Sequence, residues 1–563
     1  MQTHARLTEA VLQQIGLQRN GEVIQSTLLK SVLDSFVSLG IDDTDVTRLN
    51  LDVYTRDFQR AFLAATEAYY REESRAFLAA NSPTDYMKKA ESRLEEEEGR
   101  IGLYLHSSTR HPLMDACRAE LISRHCQLLW DQFASFLENE RADDLARMYM
   151  LLSQVPGGLD PLREQFEAHV RAAGTDAVAR AAEAGAESID PSKYVHALLH
   201  VYEHNARVNA SSFQNEPGFI AALDKACRVF MNRNQATGVS ASKSPELLAR
   251  YIDSLLKKSS RAAEEGSVEE ALDQAMVVFK YIEDRDYFLK FYSKFLARRL
   301  VTLASASSDA EESMIAKLKE TCGFEYSNKL QRMFTEVGLS RELNERFRET
   351  CPQSEMDFSA LVLANGIWPL HAPQSDFSVP SELQPMYEQF SQFYASQHFR
   401  RVLTWLWHLS SNDLHTTYLP RKHILQTSTY QCAVLLLFNT HTVLTFDEIA
   451  AATRLNETAL QTTLLPLVKS KVLHQLDDSY SLNMGAYFAD CPAHSDFKSK
   501  KVRVNLQVPV RSEQKAEVTE VQKTVDDDRK MLLQATIVRY VAGCPLTIQH
   551  HEGAQDAQTC AAS

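Results

Sequence analysis

The chain has 563 residues, several times the roughly 100 to 200 residues of a single domain, so we expect three or more packed units. Hydrophobic residues make up 44% and charged residues 24%, and glycine and proline are sparse, which excludes a disordered or fibrous protein and favours a helix-rich globular one. The 74 acidic residues outnumber the 60 basic residues and give a formal charge of −14, which disfavours the phosphate backbone of a nucleic acid as the main partner.

The N-terminal stretch MQTHARLTEAVLQQIGLQRNGE predicts an amphipathic helix with charges inside it, not a signal peptide with a continuous apolar core. No apolar run approaches the roughly 18 residues that a membrane span needs. The nine cysteines form no CxxC pair and their number is odd, which favours reduced thiols. We therefore expect a soluble intracellular protein of the cytoplasm and nucleus.

Residues 1–235 predict a helical rod, because a helical period of apolar residues repeats there with short polar breaks and almost no strand-like alternation. Phe58, Phe62, Tyr69 and Phe77 lie near one face of one such helix, which is the pattern of a buried stripe. Helices that bury their stripes on their sequence neighbours form a solenoid, and this is the fold predicted for the region.

The next helix of this rod is predicted to start at Pro83, with Thr84 or Asp85 capping its free amides. The acidic run from Glu95 to Glu98 is expected to be a solvated helix face. Residues 236–244 are small and polar without periodicity, which indicates a loop and a domain boundary.

Residues 244–355 predict a four-helix bundle. The apolar residues Leu247, Tyr251 and Leu255 recur at helical spacing near its start, and similar patterns follow up to Cys351. The fold class is therefore mainly α up to this point.

From Met356 the pattern changes to alternating or continuous apolar runs with β-branched and aromatic residues. Residues 356–420 and 498–510 predict one small α/β sheet. Residues 421–490 predict a winged-helix domain, whose second helix starts with the capping-box pair Thr445 and Glu448. A winged helix commonly binds DNA through its third helix, but here that helix carries basic residues only at its end, which disfavours DNA binding.

Long stretches of the chain resemble the cullin family, the scaffolds of multisubunit ubiquitin ligases, and most closely the cullin of SCF-type ligases. The resemblance covers roughly 530 residues, with the matching segments in cullin order. The clearest segments are KYIEDRDYFLKFYSKFLARRL, MIAKLKETCGFEYSNKLQRMF, SELQPMYEQFSQFYASQHFRRVLTWLWHL, KVRVNLQVPVRSEQK and DDDRKMLLQATIVR.

This resemblance implies a non-catalytic scaffold without cofactor or metal, which brings a substrate lysine close to a ubiquitin thioester. It implies a RING-box subunit that adds a strand to the sheet, an E2 ubiquitin-conjugating enzyme, a substrate adaptor, the cullin-associated exchange factor and the signalosome as partners. We place the RING interface on strands around Trp368, residues 403–409, 414–419 and 502–508. The residues chosen for this interface are Trp368, Leu403, Trp405, Trp407, Val502 and Val504. For Trp405 and Trp407, a purely structural role as core aromatics is the alternative.

The basic cluster Lys257, Lys258 and Arg261 is a candidate site for the acidic tail of the conjugating enzyme. A solvated helix end explains the same charges equally simply.

Two departures from the family pattern are expected to matter. The rod is shorter than three five-helix repeats and resembles the family from the second repeat onward, so binding of a Skp-type adaptor, a property of the first repeat, is assigned to no residue. In the neddylation region, residues 515–542, the acceptor-lysine position three residues after Arg539 is Ala542, so no acceptor is assigned. Residues 543–563 do not resemble the family.

In this tail Cys544, His550 and His551 suggest thiol catalysis only weakly, because no scaffold or orienting group accompanies them.

Three hypotheses follow. The first is a cullin scaffold that binds a RING subunit and positions the conjugating enzyme. The second is a truncated regulatory or inactive decoy that occupies the RING subunit without an adaptor. The third is a winged-helix DNA-binding protein, which requires salt-sensitive duplex binding.

Overall fold

The structure is a computed structural model that describes residues 2–40, 50–183, 189–238, 242–258, 267–351, 356–370, 376–416, 423–476, 478–483, 502–505 and 511–543. The chain divides into two compact units. The first comprises residues 1–244 and 277–283, and the second comprises residues 245–276 and 284–563. Among the described residues no helix is long and apolar enough to cross a membrane.

The described part of the first unit is helical, and its helices contact helices that are near in sequence, as in a solenoid. For example, α8 (Asp160–Glu183) contacts α6 (Cys126–Glu138), α9 (Pro191–Ser212) and α10 (Pro217–Asn232). Each helix thus buries one stripe on its neighbours. A short helix (Asp52–Tyr54) and a π-helical turn (Thr55–Gln59) lead into α3. The helices are α1 (Gln2–Arg19), α2 (Ser26–Ser38), α3 (Arg60–Ala80), α4 (Pro83–Leu103), α5 (Arg110–Leu121), α6 (Cys126–Glu138), α7 (Ala142–Leu152), α8 (Asp160–Glu183), α9 (Pro191–Ser212) and α10 (Pro217–Asn232).

The stripe predicted on α3 continues through polar residues that the sequence pattern missed. Phe58 and Phe62 are buried, as predicted, but the buried line then runs through Thr66, Tyr70 and Ser74 at a spacing of four residues. The predicted stripe members further along, Tyr69 and Phe77, are only half-buried.

Helix α4 starts at Pro83 as predicted, but its cap differs from the prediction. Ser82, not Thr84 or Asp85, is the N-cap, and its hydroxyl accepts the Asp85 backbone N–H. The reason is that Pro83 occupies the first helical position, so the cap is the residue before it.

The expectation that Glu95 to Glu98 form a solvated face is wrong for Glu97, which is fully buried. Its Oε1 accepts hydrogen bonds from Arg19 Nε (2.8 Å), from Arg100 Nη1 (2.9 Å) and from the Tyr70 hydroxyl. A buried carboxylate is tolerated when cations and donors surround it, and two arginines do so here.

In the second unit, α13 (Arg285–Val301) buries Phe288, Tyr292 and Leu296. Later, α20 packs on α13, where Lys294 pairs with Glu520 at 2.8 Å and Arg529 with Asp284 at 2.8 Å. The helices that lie wholly or partly in the second unit are α11 (Lys243–Leu255), α12 (Val268–Tyr281), α13 (Arg285–Val301), α14 (Ser308–Cys322), α15 (Phe324–Thr350), α16 (Gln384–Gln397), α17 (Thr429–Leu437), α18 (Phe446–Thr453), α19 (Glu457–Lys469) and α20 (Arg511–Gly543).

Two three-stranded sheets complete the described part of the second unit. In the first, β1 (Asn412–His415) pairs antiparallel with β2 (His423–Thr427), and β2 pairs parallel with β6 (Val502–Asn505). In the second, β5 (Ser479–Leu482) lies between β3 (Val443–Thr445) and β4 (Leu473–Leu476). With α17, α18 and α19 the second sheet surrounds one apolar core, the winged-helix arrangement.

The predicted fold class, a helical solenoid and bundle followed by a small α+β part with a winged helix, is confirmed. One boundary inside it differs. Strand β2, which falls in the predicted winged-helix range, is the central strand of the first sheet instead. The reason is a parallel pairing with β6, some 75 residues later in the chain, which a local pattern does not reveal.

Candidate functional site

Residues 357–364, hereafter the held segment, run along helix α15 and are fixed by its side chains. Asn344 forms a two-way bond with Ala360, because its Nδ2 donates to the Ala360 carbonyl and its Oδ1 accepts the Ala360 N–H, both at 2.8 Å. Ser340 Oγ accepts the Val362 N–H at 3.0 Å. The helix thus satisfies backbone groups that a neighbouring strand would otherwise bind.

Glu336 continues the same row of side chains by one more helical turn. Its Oε2 accepts the Ala364 N–H at 3.0 Å and the indole N–H of Trp368 at 2.7 Å. Side chains four residues apart on a helix are separated by about 6 Å along its axis, and residues two apart in an extended chain are separated by about 6.6 Å. Every fourth residue of α15 can therefore contact every second residue of the held segment. The predicted interface residue Trp368 is therefore buried and bonded inside the unit, in a bend and not in a strand.

The alternate residues of the held segment have free backbone groups. Within the described part of the chain, the N–H and C=O groups of Ser359, Leu361 and Leu363 make no hydrogen bond. In an extended chain these groups point to the edge opposite the bonded one. With respect to the described residues, the held segment therefore presents one open strand edge, while its other edge is fixed to α15.

Residues 401–406 have no regular secondary structure and contain the predicted interface residues Leu403 and Trp405. The prediction of a strand over residues 403–409 is wrong, because Trp407–Leu409 is a 3₁₀ turn. Residues 401–405 make no backbone–backbone hydrogen bond with the described residues, so no described strand pairs with them. The apolar alternation predicts a strand, but strand assignment also requires a hydrogen-bonded partner.

Trp405 and Trp407 lie side by side, with ring centroids 5.6 Å apart. The Tyr387 ring of α16 meets both edge-on, at 4.8 Å and 4.6 Å. Trp405 packs against the apolar cluster around Phe390, and Trp407 packs against the core of the winged helix. Both indoles are half-buried and line an open groove of about 550 Å³, so they are neither fully core nor fully surface.

His408, next to Trp407, has a buried Nδ1 without a hydrogen-bond partner among the described residues. Burial lowers the pKa of this imidazole, because the charged form would lose its hydration.

The predicted interface residues Val502 and Val504 lie in β6, opposite His423 and Leu425 of β2. The other predicted strand, residues 414–419, is described only as far as Thr416, and β1 ends at His415. The structure thus brings Trp405 and Trp407 together in one groove and places Val502 and Val504 in the adjoining sheet, while Trp368 belongs to the held segment's anchor.

The basic cluster predicted after α11 is partly committed to ion pairs. Lys257 Nζ lies 2.5 Å from Asp253 Oδ2, and a β-bridge joins the Lys257 backbone to Ser305. Lys258 is exposed and makes no ion pair with the described residues. Arg261 lies outside the described residues. Of the two described cations, Lys258 is the one available to a partner.

Other features with chemical potential give no catalytic arrangement. Ala542 lies near the end of α20, and Cys544, His550 and His551 lie outside the described residues. Burial raises the pKa of Cys432 to about 12, so this thiol stays protonated and is a poor nucleophile. In the part of the chain that the structure describes, no cluster of histidine, cysteine or carboxylate side chains could hold a metal ion.

Comparison with known proteins identifies the family. The sequence profile of the Cullin alpha solenoid domain matches residues 1–344, and that of the Cullin alpha+beta domain matches residues 362–489. Cullin-1 of Dictyostelium discoideum is 45% identical over 547 residues, which covers 95% of this chain and 70% of the relative. Cullin-1 of Schizosaccharomyces pombe is 42% identical over 515 residues (90% and 67%), and Cullin-1 of Caenorhabditis elegans is 38% identical over 551 residues (95% and 70%). The chain therefore belongs to the cullin family, the scaffold subunits of cullin-RING ubiquitin ligases.

Proposed function

We propose that this protein is the scaffold of an SCF-type ubiquitin ligase, which binds a RING-box subunit by strand addition and positions an E2 conjugating enzyme through Lys258. The observation that carries the proposal is the open backbone edge at Ser359, Leu361 and Leu363, which sits on a segment already held straight by α15.

Strand addition fits this site for a physical reason. An unpaired N–H or C=O that becomes buried costs about 1–3 kcal/mol, so an open edge gains most when another strand satisfies it. The held segment is already ordered, which reduces the entropy lost on binding. The indoles of Trp405 and Trp407 then offer an aromatic groove for side chains of the incoming strand.

Capture with a tagged RING-box subunit tests this directly. Leu361→Pro removes one outward N–H and keeps the preceding residue extended, so capture should fall at least tenfold. Leu361→Ala keeps the N–H and is the matched control, which should lose much less. Equal losses in the two variants, at unchanged thermal stability, would show that the backbone edge is not the contact.

The positioning of the conjugating enzyme is tested by charge reversal. Lys258→Glu should slow ubiquitin-chain synthesis, and more so at low salt than at high salt, because exposed charges are screened within about 10 Å at 0.1 M salt. Lys193→Glu, an exposed lysine of α9, makes the same change in net charge elsewhere and is the control. A loss that is the same at both salt concentrations would contradict the electrostatic role.

The scaffold function also implies a substrate adaptor, the exchange factor and the signalosome as partners, and the cytoplasm and nucleus as the compartments. Adding a tagged adaptor to the same capture experiment separates the scaffold from a decoy. Recovery of RING and adaptor together supports the scaffold, and recovery of RING alone supports the decoy.

A further inference from the structure

A pocket of about 250 Å³ lies in the second unit between the loop that follows α13 and the side of α15. We propose that this pocket receives an apolar side chain from an acidic peptide segment of a protein partner, with Lys258 and Arg341 binding the flanking carboxylates. The proposal rests on the scaffold function above and extends it, because it adds an apolar anchor and a second cation to the site of Lys258.

The pocket combines apolar side chains in its lining with polar and charged ones. Its apolar lining comes from Leu300, Leu303, Phe334 and Val337, which belong to the end of α13, the following loop and α15. A space of about 10–15 Å³ already holds a water molecule, so this pocket is large enough for a whole side chain.

Leu303 is the clearest sign that the pocket is shaped for contact. It has φ of 54°, the left-handed conformation that usually carries glycine at a helix end, and its side chain is 60% exposed. The turn is closed by the Ala304 N–H, which donates to the Arg299 carbonyl at 3.0 Å. A leucine in this backbone conformation is strained. Burial of its exposed side chain by a partner would supply a favourable free energy that offsets the strain.

The lining contains three cations, of which two have no carboxylate partner among the described residues. Lys258 and Arg341 are exposed and form no ion pair with the described residues. The lining also contains Glu311, but its two carboxylate oxygens are taken by Arg299, at 2.7 Å and 2.9 Å. Among the described residues the lining therefore has more positive than negative charge, which is complementary to an acidic segment.

Gly338 provides a way to close the pocket without disturbing the fold. It lies on α15 in the lining, and a Cβ placed there meets no atom within 4 Å. Gly338→Leu should therefore occupy the open space and also favour the helix.

The experiment uses the full chain and two fluorescent synthetic peptides, one of aspartates around a single phenylalanine and one with serine in its place. Binding is followed by anisotropy. The phenylalanine peptide should bind the wild type about tenfold more tightly, and Gly338→Leu should remove that difference while leaving the serine peptide unchanged. Arg341→Glu should weaken both peptides. Gly102→Leu, at another open helical glycine in α4, is the control and should change neither.

Equal affinity of the two peptides for the wild type overturns the pocket proposal, and so does a phenylalanine preference that survives Gly338→Leu. If the serine peptide still binds in a Lys258-dependent way, the proposed docking of the conjugating enzyme stands while the pocket fails. If neither peptide binds, the pocket and the docking at Lys258 both fail, and the RING-binding proposal is unaffected.

Discussion

Arg299 is the largest fully buried side chain of the second unit, and it lies between two carboxylates. Its guanidinium donates to Asp253 at 2.6 Å and to Glu311 at 2.7 Å and 2.9 Å. Burial by itself lowers the pKa of this group, but the Glu311 hydrogen bonds and charge outweigh burial, and the pKa is raised. Because Asp253 also holds Lys257, this cluster fixes the turn that carries Lys258.

Arg299→Met should lower the free energy of unfolding by about 3–5 kcal/mol, because it leaves the buried Glu311 carboxylate without its cation and leaves Asp253 with Lys257 alone. Chemical denaturation measures this change. Lys317→Met is the control: it removes a more exposed cation that pairs with Glu269 at 3.0 Å, and it should cost no more than about 1 kcal/mol. A loss of less than about 1 kcal/mol for Arg299→Met would contradict the role assigned to the cluster.

His408 should make the stability of the protein depend on pH. Burial lowers the pKa of His408 in the folded chain, so below about pH 6.5 the unfolded chain binds more protons than the folded chain does. The stability that comes from the neutral imidazole is therefore lost as the pH falls below that value. The melting temperature of His408→Gln should therefore fall less than that of the wild type between pH 7.5 and pH 5.5. His474→Gln, at an exposed position of β4, should follow the wild type. Parallel curves for His408→Gln and the wild type would contradict this account.

At the scale of the element, the row Glu336, Ser340 and Asn344 turns one face of α15 into a partner for an extended chain. Asn344→Leu keeps the shape but removes both bonds to Ala360, which leaves a buried N–H and C=O without partners at roughly 1–3 kcal/mol each. We expect faster amide hydrogen exchange in the held segment and weaker capture of the RING subunit. Glu345→Gln, an exposed neighbour on α15, is the control. Unchanged exchange would show that the row does not order the segment.

Features that depend on residues close together in the sequence could be predicted, whereas features that depend on distant residues could not. The capping box of α18 was predictable because it depends on two residues three apart, and Thr445 and Glu448 form it as expected. The burial of Glu97 depends on Arg19 and Tyr70 of other helices, and the row on α15 depends on the held segment that follows it, so no local pattern predicts either. Alternation over residues 401–406 predicted a strand, but not whether another strand lies beside it.

At the scale of the whole molecule, family membership follows from the order of many matching segments, and no single residue carries it. The candidate site is different, because its central feature is a set of backbone groups that make no hydrogen bond with the described residues. Every residue has these backbone groups, so the sequence does not show which of them lack a hydrogen bond. The tryptophans could be chosen from the sequence as interface candidates, whereas Ser359, Leu361 and Leu363 emerged only from the structure.

The most direct test of strand addition is amide hydrogen exchange of residues 357–364, resolved residue by residue, with and without a RING-box subunit. The account predicts that the amides of Ser359, Leu361 and Leu363 slow by about tenfold or more on binding. Those of Ala360, Val362 and Ala364, already bonded to α15, should change little. Tight RING binding that leaves the Ser359, Leu361 and Leu363 amides as fast as in the free chain would contradict it.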